Sequence, residues 1–200
     1  MPEYLRDDLT RTIYRGLCLQ QRKEVMDIFP VLIDKIKPQK IIEIGTGHGG
    51  LTLFLRDTVK PIEVYSFDIC EEFSKFQQVL KEEGIKINYL NIFVDKVKDW
   101  NSLEVKEEWV SIFDDSPKIV LCDGGTKKGE FNGLSKYLKS GDIIMLHDYC
   151  TDIETFDTLK VWNWLEVKYS DIKESCEQHN LEPFMHEEFL NVAWGCFIKK

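Results

Sequence analysis

The chain has 200 residues, 43% of them hydrophobic and 30% charged, with a formal net charge of −9. That is enough chain for a sizeable core, with the composition of a soluble globular protein. The negative balance disfavours nonspecific binding to nucleic acid or anionic membrane, which needs basic patches.

Six cysteines (Cys18, Cys70, Cys122, Cys150, Cys176, Cys196) are scattered, with no CxxC pair to signal zinc. Cys70, Cys122 and Cys196 lie in or beside apolar runs and read as buried thiols. The N-terminus lacks the apolar segment of a signal peptide. No apolar run approaches the ~18 residues of a membrane span. The expectation is a soluble cytoplasmic protein. No repeat or linker divides it, so residues 1–200 read as one unit, a helical lead-in over 1–37 and an α/β core over 38–200.

Residues 3–19 are polar with scattered apolar positions and read as a short helix and an extended lead-in. From Gln20 to Ile36 apolar residues recur at helical spacing, and Pro30 should kink or restart that helix. Ile41, Ile42 and Ile44 then form a β-branched run that stops in glycines, followed by Leu51, Phe54 and Leu55 on one helical face. This is strand, tight turn, helix. A second strand is expected over 63–69, a helix over 71–83 stopped by Gly84, and a third strand over 85–94. A helix over about 103–114 precedes a fourth strand, Lys118–Cys122. A helix near 130–139 precedes a fifth, Ile143–Leu146. Helices near 154–166 and 170–179 and a terminal strand over 191–198 complete the chain. Strands alternating with helices imply a mostly parallel sheet covered on both faces.

In open sheets of this kind ligands bind beyond the carboxyl ends of the strands. Gly45–Gly50, Asp68, Asp123 and His147-Asp148 should therefore share one rim. Gly45, Gly47 and Gly50 satisfy GxGxxG, while Glu43 with Gly45, Gly47 and Gly49 satisfies ExGxGxG. Both put backbone against a nucleoside cofactor, since glycine lets the chain approach closely. Asp68 at a strand end suits ribose hydroxyls, and Asp95 after the third strand could border an adenine. Asp123, His147 and Asp148 suit either a divalent cation or a base that takes a hydroxyl proton. The five tryptophans read as core or rim packing. Lys127-Lys128 is a local basic exception in a loop of interest.

With these residues in place, the chain resembles the class I S-adenosylmethionine-dependent methyltransferases. Glu43 to Gly50 looks like their first motif and Asp68 like their ribose-binding acid. Gly45-Thr46 with Gly49-Gly50, Asp123-Gly124, and His147-Asp148-Tyr149 after Lys139 to Asp142 resemble the branch of cephalosporin-hydroxylase-like proteins and sugar O-methyltransferases. Tyr14-Arg15-Gly16 through Gln20-Gln21 is similar to that branch too. The resemblance implies a Rossmann-like, doubly wound sheet of seven strands with the last antiparallel. It also implies methyl transfer to an oxygen of a sugar or other small hydroxylated acceptor. Glu43, Gly45, Thr46, Gly47, Gly49, Gly50, Asp68, Ile69, Asp95 and Asp123 would bind S-adenosylmethionine. His147, Asp123 and Asp148 would be catalytic, with Mg²⁺ on Asp123 and Asp148 as in some members. Two departures stand out: His147 replaces an acid of the usual pair, and Gly125 to Gly129 lacks the histidine and aromatic residue of many relatives. The alternatives are an NAD(P)-dependent oxidoreductase, or a binding protein that keeps the fold without activity.

Overall fold

The computed structural model describes residues 12–59, 62–70, 78–85, 87–94 and 99–200. Its strands and helices run β1 (Ile13–Tyr14), β2 (Leu17–Cys18), α1 (Val25–Ile36), β3 (Lys40–Ile44), α2 (Gly50–Val59), β4 (Glu63–Asp68), α3 (Gln78–Glu82), β5 (Ile87–Tyr89), β6 (Lys118–Cys122), α4 (Lys127–Leu134) and β7 (Ile143–His147). They continue through β8 (Tyr149–Cys150), α5 (Ile153–Leu159), β9 (Val167–Lys168), α6 (Tyr169–Gln178), β10 (Leu181–Pro183), α7 (His186–Leu190) and β11 (Trp194–Lys199). Seven strands form one sheet in the order β10-β11-β7-β6-β3-β4-β5. β3 pairs in parallel with β4 and β6, β6 with β7, and β4 with β5. β11 is antiparallel to β7. The fold is the mostly parallel sheet that the sequence pattern implies, and the Rossmann-like form with an antiparallel last strand that the resemblance implies.

Strand alternation sorts the core into two faces. Ile41, Ile119, Leu121, Ile143, Met145 and Cys196 pack with Val25, Phe29 and Leu32 of α1 and Leu51, Phe54 and Leu55 of α2. Ile42, Ile44, Val120, Cys122, Ile144, Leu146 and Phe197 pack with Phe131 and Leu134 of α4 and Ile172 and Cys176 of α6. Burying each such side chain is worth about 1.5–3 kcal/mol, which is why apolar runs rather than alternating patterns mark these strands.

Several elements differ from the sequence reading. Residues 13–18 form a β-hairpin, because Arg15 and Gly16 both take positive φ, at 47° and 87°, as a tight hairpin turn requires. α1 runs through Pro30 without restarting. The third strand is only three residues long. The Asn91 side chain accepts from Phe93 N–H and turns the chain, so Val94 N–H donates to Glu104 O and Lys106 N–H to Ile92 O instead of continuing the sheet. The segment expected to be a helix over 103–114 is a 3₁₀ turn, Glu107–Phe113. The helix expected near 154–166 is α5, which ends at Leu159 with Lys160 in the left-handed region. β10 is an added edge strand, and it tolerates Pro183 because an edge needs fewer backbone donors. Cys122 and Cys196 are buried as expected, whereas Cys70 is half-exposed. Among the described residues no helix is long and apolar enough to cross a membrane.

Candidate functional site

The carboxyl ends of β3, β4, β6 and β7 open on a single cavity of about 1520 Å³. One wall is the glycine turn. Gly45 leaves β3 with φ +94°. Its N–H donates to Phe67 O at 2.8 Å, and Asp123 N–H donates to Ile44 O at 2.9 Å, so the turn is clamped between β4 and β6. Two of its amides are held by side chains of the chain itself. Gly47 N–H donates to Asp68 Oδ2 at 2.8 Å, and His48 N–H to Gln20 Oε1 at 2.8 Å. Cys70 N–H donates to the other Asp68 oxygen at 2.8 Å. Asp68 is thus fixed at the strand end with its remaining lone pairs available.

Behind the turn lies Glu43, buried at 1% exposure but lining the cavity. Thr52 and Ser66 hydroxyls donate to its Oε2 at 2.6 and 2.5 Å, and Thr46 Oγ1 lies 2.5 Å from Ser66 Oγ. Its Oε1 is buried with no hydrogen-bond partner. Burial outweighs the two hydroxyls and pushes the carboxyl up to about 8 from an ordinary 4.5. The folded chain therefore holds this proton where the unfolded chain has lost it. Stability is expected to fall as pH rises from about 4.5 towards 8. Glu43→Gln keeps an acceptor for both hydroxyls and should flatten that fall by a few kcal/mol. Urea midpoints at about pH 5 and about pH 8 check this; equal slopes in the two proteins would mean that Glu43 is ionised throughout.

The opposite wall is a knot of charge. β7 ends at His147, and Asp148 follows with φ +54°, a turn that aspartate tolerates better than most residues. His147 Nδ1 lies 3.3 Å from Asp123 Oδ1 and 3.2 Å from Asp148 Oδ1. Register sets Trp194 of β11 opposite His147, with ring centroids 5.0 Å apart, and Trp162 packs on the imidazole at the same distance. His147 Nε2 is buried and unpartnered. Trp162 Nε1 donates to Asp148 Oδ1 at 2.7 Å. Gln21 accepts from Trp194 Nε1 and donates to Asp123 Oδ2, both at 2.8 Å. The Lys127 ammonium sits 3.0 Å from Asp148 Oδ2, 3.0 Å from Glu166 Oε2 and 3.8 Å from Asp123 Oδ1.

These groups shift one another. Burial alone would lower His147, but Asp123 and Asp148 override it and hold the imidazole above its ordinary value. Burial also works against ionised Asp148, yet His147, Lys127 and the Trp162 N–H keep that carboxyl below its usual range. Lys127 is likewise held above its ordinary value, its three acids outweighing burial. Glu130, behind Gly124, is pushed up to about 7 by burial despite the Thr126 and Gly124 amides it accepts from.

No family model matches the sequence, and no curated protein matches it. Solved structures match the fold. CmcI in its apo form aligns with TM-score 0.64 at 16% identity, over 96% of this chain and 78% of that one. CmcI in a Mg-SAM form gives 0.61 at 14%, over 97% and 78%. A putative caffeoyl-CoA O-methyltransferase from Staphylococcus aureus gives 0.57 at 14%, over 88% and 83%. An S-adenosylmethionine-dependent methyltransferase from Clostridium acetobutylicum gives 0.52 at 12%, over 89% and 91%. The chain has the fold of the S-adenosylmethionine-dependent methyltransferases.

Within that methyltransferase fold the cavity gathers most of the residues singled out in the sequence. Glu43, Gly45, Thr46, Gly47, Asp68, Ile69, Asp123, His147 and Asp148 all line it. Gly49 and Gly50 do not. They make room instead for Leu80 and for the backbone carbonyl of Cys18. Asp95 lies outside the described residues. Asp123, His147 and Asp148 cluster with ligand atoms within 4.8 Å of one another. Gln21, Glu130, Trp162 and Glu166 also belong to the site, though the sequence does not single them out, and so does Lys127, which reads there as a loop charge. Of these only Lys127 carried a signal, four residues after Asp123 at the start of a helix.

Proposed function

We propose that this chain transfers the methyl group of S-adenosylmethionine to an oxygen of a small hydroxylated acceptor, with a sugar as the favoured class, and that residues 1–200 act as one methyltransferase-like unit. The observation that carries this reading is the charge of the cavity. Among the described residues Asp68, Asp123, Asp148 and Glu166 line it against one lysine, beside Glu43 and Glu130, whose carboxyls burial pushes up to about 8 and about 7. The turn amides of Gly47 and His48 are already spoken for by Asp68 and Gln20. A dinucleotide pyrophosphate needs the reverse, open N–H groups and little negative charge. A ligand with a sulfonium and an ammonium suits an acidic pocket. A CmcI structure of the same fold is a Mg-SAM form. The six cysteines form no disulfide, which fits a reducing, cytoplasmic setting.

S-adenosylmethionine, when bound, supplies a methyl group already activated as a sulfonium. Glu43, with its unpartnered Oε1, and Asp68 are the groups that would hold it on the turn side, with Gly45, Thr46, Gly47, Ile69 and Asp123 around it. The acceptor would enter past Trp164, which is exposed on the cavity rim beside Trp162 and Glu166. An indole face suits the C–H face of a sugar ring, and the neighbouring carboxylate suits its hydroxyls. His147 would act as the general base. Its Nδ1 faces the carboxylates of Asp123 and Asp148, and the imidazole would take the acceptor's proton as the oxygen–methyl bond forms and the sulfonium–methyl bond breaks.

Calorimetry with S-adenosylhomocysteine and NADH tests the cofactor: micromolar binding of the first and none of the second is expected. NADH binding alone would restore the oxidoreductase reading, and binding of neither the non-catalytic one. The base role has its own check. Turnover should rise with pH through a pKa above the ordinary histidine range, and His147→Gln should lower it about 100-fold and erase that rise. Retention of the pH rise in the variant would exclude His147.

A further inference from the structure

We infer that the ammonium of Lys127 is the resident cation of this site and takes the place a divalent ion would need, so that the pocket works without a metal. Asp123, His147 and Asp148 make the cluster that invites a metal reading. Mg²⁺ demands six oxygens close to octahedral, with ligand distances near 2.0–2.1 Å, and carboxylate oxygens free to turn towards it. Here all four carboxylate oxygens of the two aspartates face a nitrogen. Asp123 Oδ2 accepts from Gln21 at 2.8 Å, and its Oδ1 faces His147 Nδ1 at 3.3 Å and Lys127 Nζ at 3.8 Å. Asp148 Oδ1 accepts from Trp162 at 2.7 Å and faces His147 Nδ1 at 3.2 Å, and its Oδ2 faces Lys127 at 3.0 Å.

The third member of the cluster is an imidazole whose Nδ1 is engaged with both acids, where a hard cation prefers oxygen. An ion among these groups would also lie within a few ångströms of a buried ammonium, and like charges repel strongly in such a low-dielectric setting.

Lys127 itself is built in. It is 7% exposed, and α4 starts at it. Its Nζ donates to Gly124 O at 3.1 Å and to Glu166 Oε2 at 3.0 Å, and its own N–H donates to Glu166 Oε1 at 3.1 Å. An ammonium has three protons, and here carboxylates and a carbonyl surround them. The arrangement supplies fixed positive charge at the wall where an acceptor oxygen would lose its proton, with no ion to recruit. This consequence rests on the methyl-transfer reading; the identity of the cation rests on the side chains alone.

The test is Mn²⁺ binding to the full chain, followed by electron paramagnetic resonance and calorimetry. The wild-type protein should bind no Mn²⁺ at this site at about 1 mM ion. Lys127→Ala, which removes the buried positive charge and frees Asp148 Oδ2 and Glu166 Oε2, should gain binding at least ~10-fold tighter than wild type, while Lys127→Arg, which keeps the charge, should not. Thermal unfolding of each variant shows that it is folded. Tight Mn²⁺ binding by wild type overturns the inference whether or not the variants fold, and so does a folded Lys127→Ala that takes up no ion. Binding of S-adenosylhomocysteine is measured in parallel: its absence would undo the proposed function and leave the cation assignment standing.

Discussion

Lys118→Met is expected to destabilise the protein by about 3–5 kcal/mol, because it leaves a buried aspartate without its counter-charge. Lys118 opens β6, and Asp142 immediately precedes β7; both are fully buried. The Lys118 ammonium is paired with Asp142. The same carboxylate accepts from Ser116 Oγ at 2.5 Å, Lys118 N–H at 3.0 Å and Lys139 N–H at 2.7 Å. It therefore ties the entry of β6 to the entry of β7. At their far ends these two strands deliver Asp123 and His147 to the cavity, so the pair aligns the strands that carry the site. Adding Asp142→Asn should recover part of the loss, since a neutral acceptor then replaces an unpaired charge. Urea unfolding of the three proteins measures both effects. A loss under about 1 kcal/mol in the single variant would mean that water reaches Asp142, and the buried-pair argument would fail.

Much of this was readable in the sequence, and the reason is local. Ile41, Ile42 and Ile44 are β-branched, stop at glycine and are followed by a helical face, so strand, turn and helix are each specified by neighbours in the chain. Asp68, Asp123 and His147 follow apolar runs, and the parallel topology alone carries strand ends to one rim. What escaped depends on distant partners. Lys127 looks like a surface charge at a helix start. Its burial comes from Glu166, in a segment that the sequence reads as the end of a helix but that lies beyond α5, and from Asp148. Trp162 gives the same lesson, since nothing in its surroundings announces a hydrogen bond to Asp148. The third strand reads too long in the sequence because residues 85–94 are apolar enough to continue it. A single side-chain acceptor, Asn91, turns the chain away. β10 is too short and too polar to signal itself, being defined only by pairing with β11.

Gly45→Ala is expected to cost about 3 kcal/mol and to abolish cofactor binding, through backbone geometry rather than lost contacts. Its φ of +94° lies beyond the left-handed region that alanine reaches at about 1–2 kcal/mol. A Cβ there would overlap the Asp123 carbonyl oxygen and lie 2.5 Å from its carbonyl carbon and 2.9 Å from Gly124 N. These are backbone atoms at the end of β6, so no side chain can swing aside. Relief requires β3 and β6 to part at their carboxyl ends, which strains the bonds from Gly45 N–H to Phe67 O and from Asp123 N–H to Ile44 O. That movement carries Asp123 away from Gln21 and His147 and opens the turn that holds Asp68. One methyl group thus couples the cofactor wall to the charged wall. Gly125→Ala is the matching control, since a Cβ there meets nothing within 4 Å, and its cost should stay within about 0.5 kcal/mol. Thermal unfolding and S-adenosylhomocysteine calorimetry on both variants separate the two cases. If Gly45→Ala binds the ligand as well as Gly125→Ala does, the two walls are not coupled through this contact.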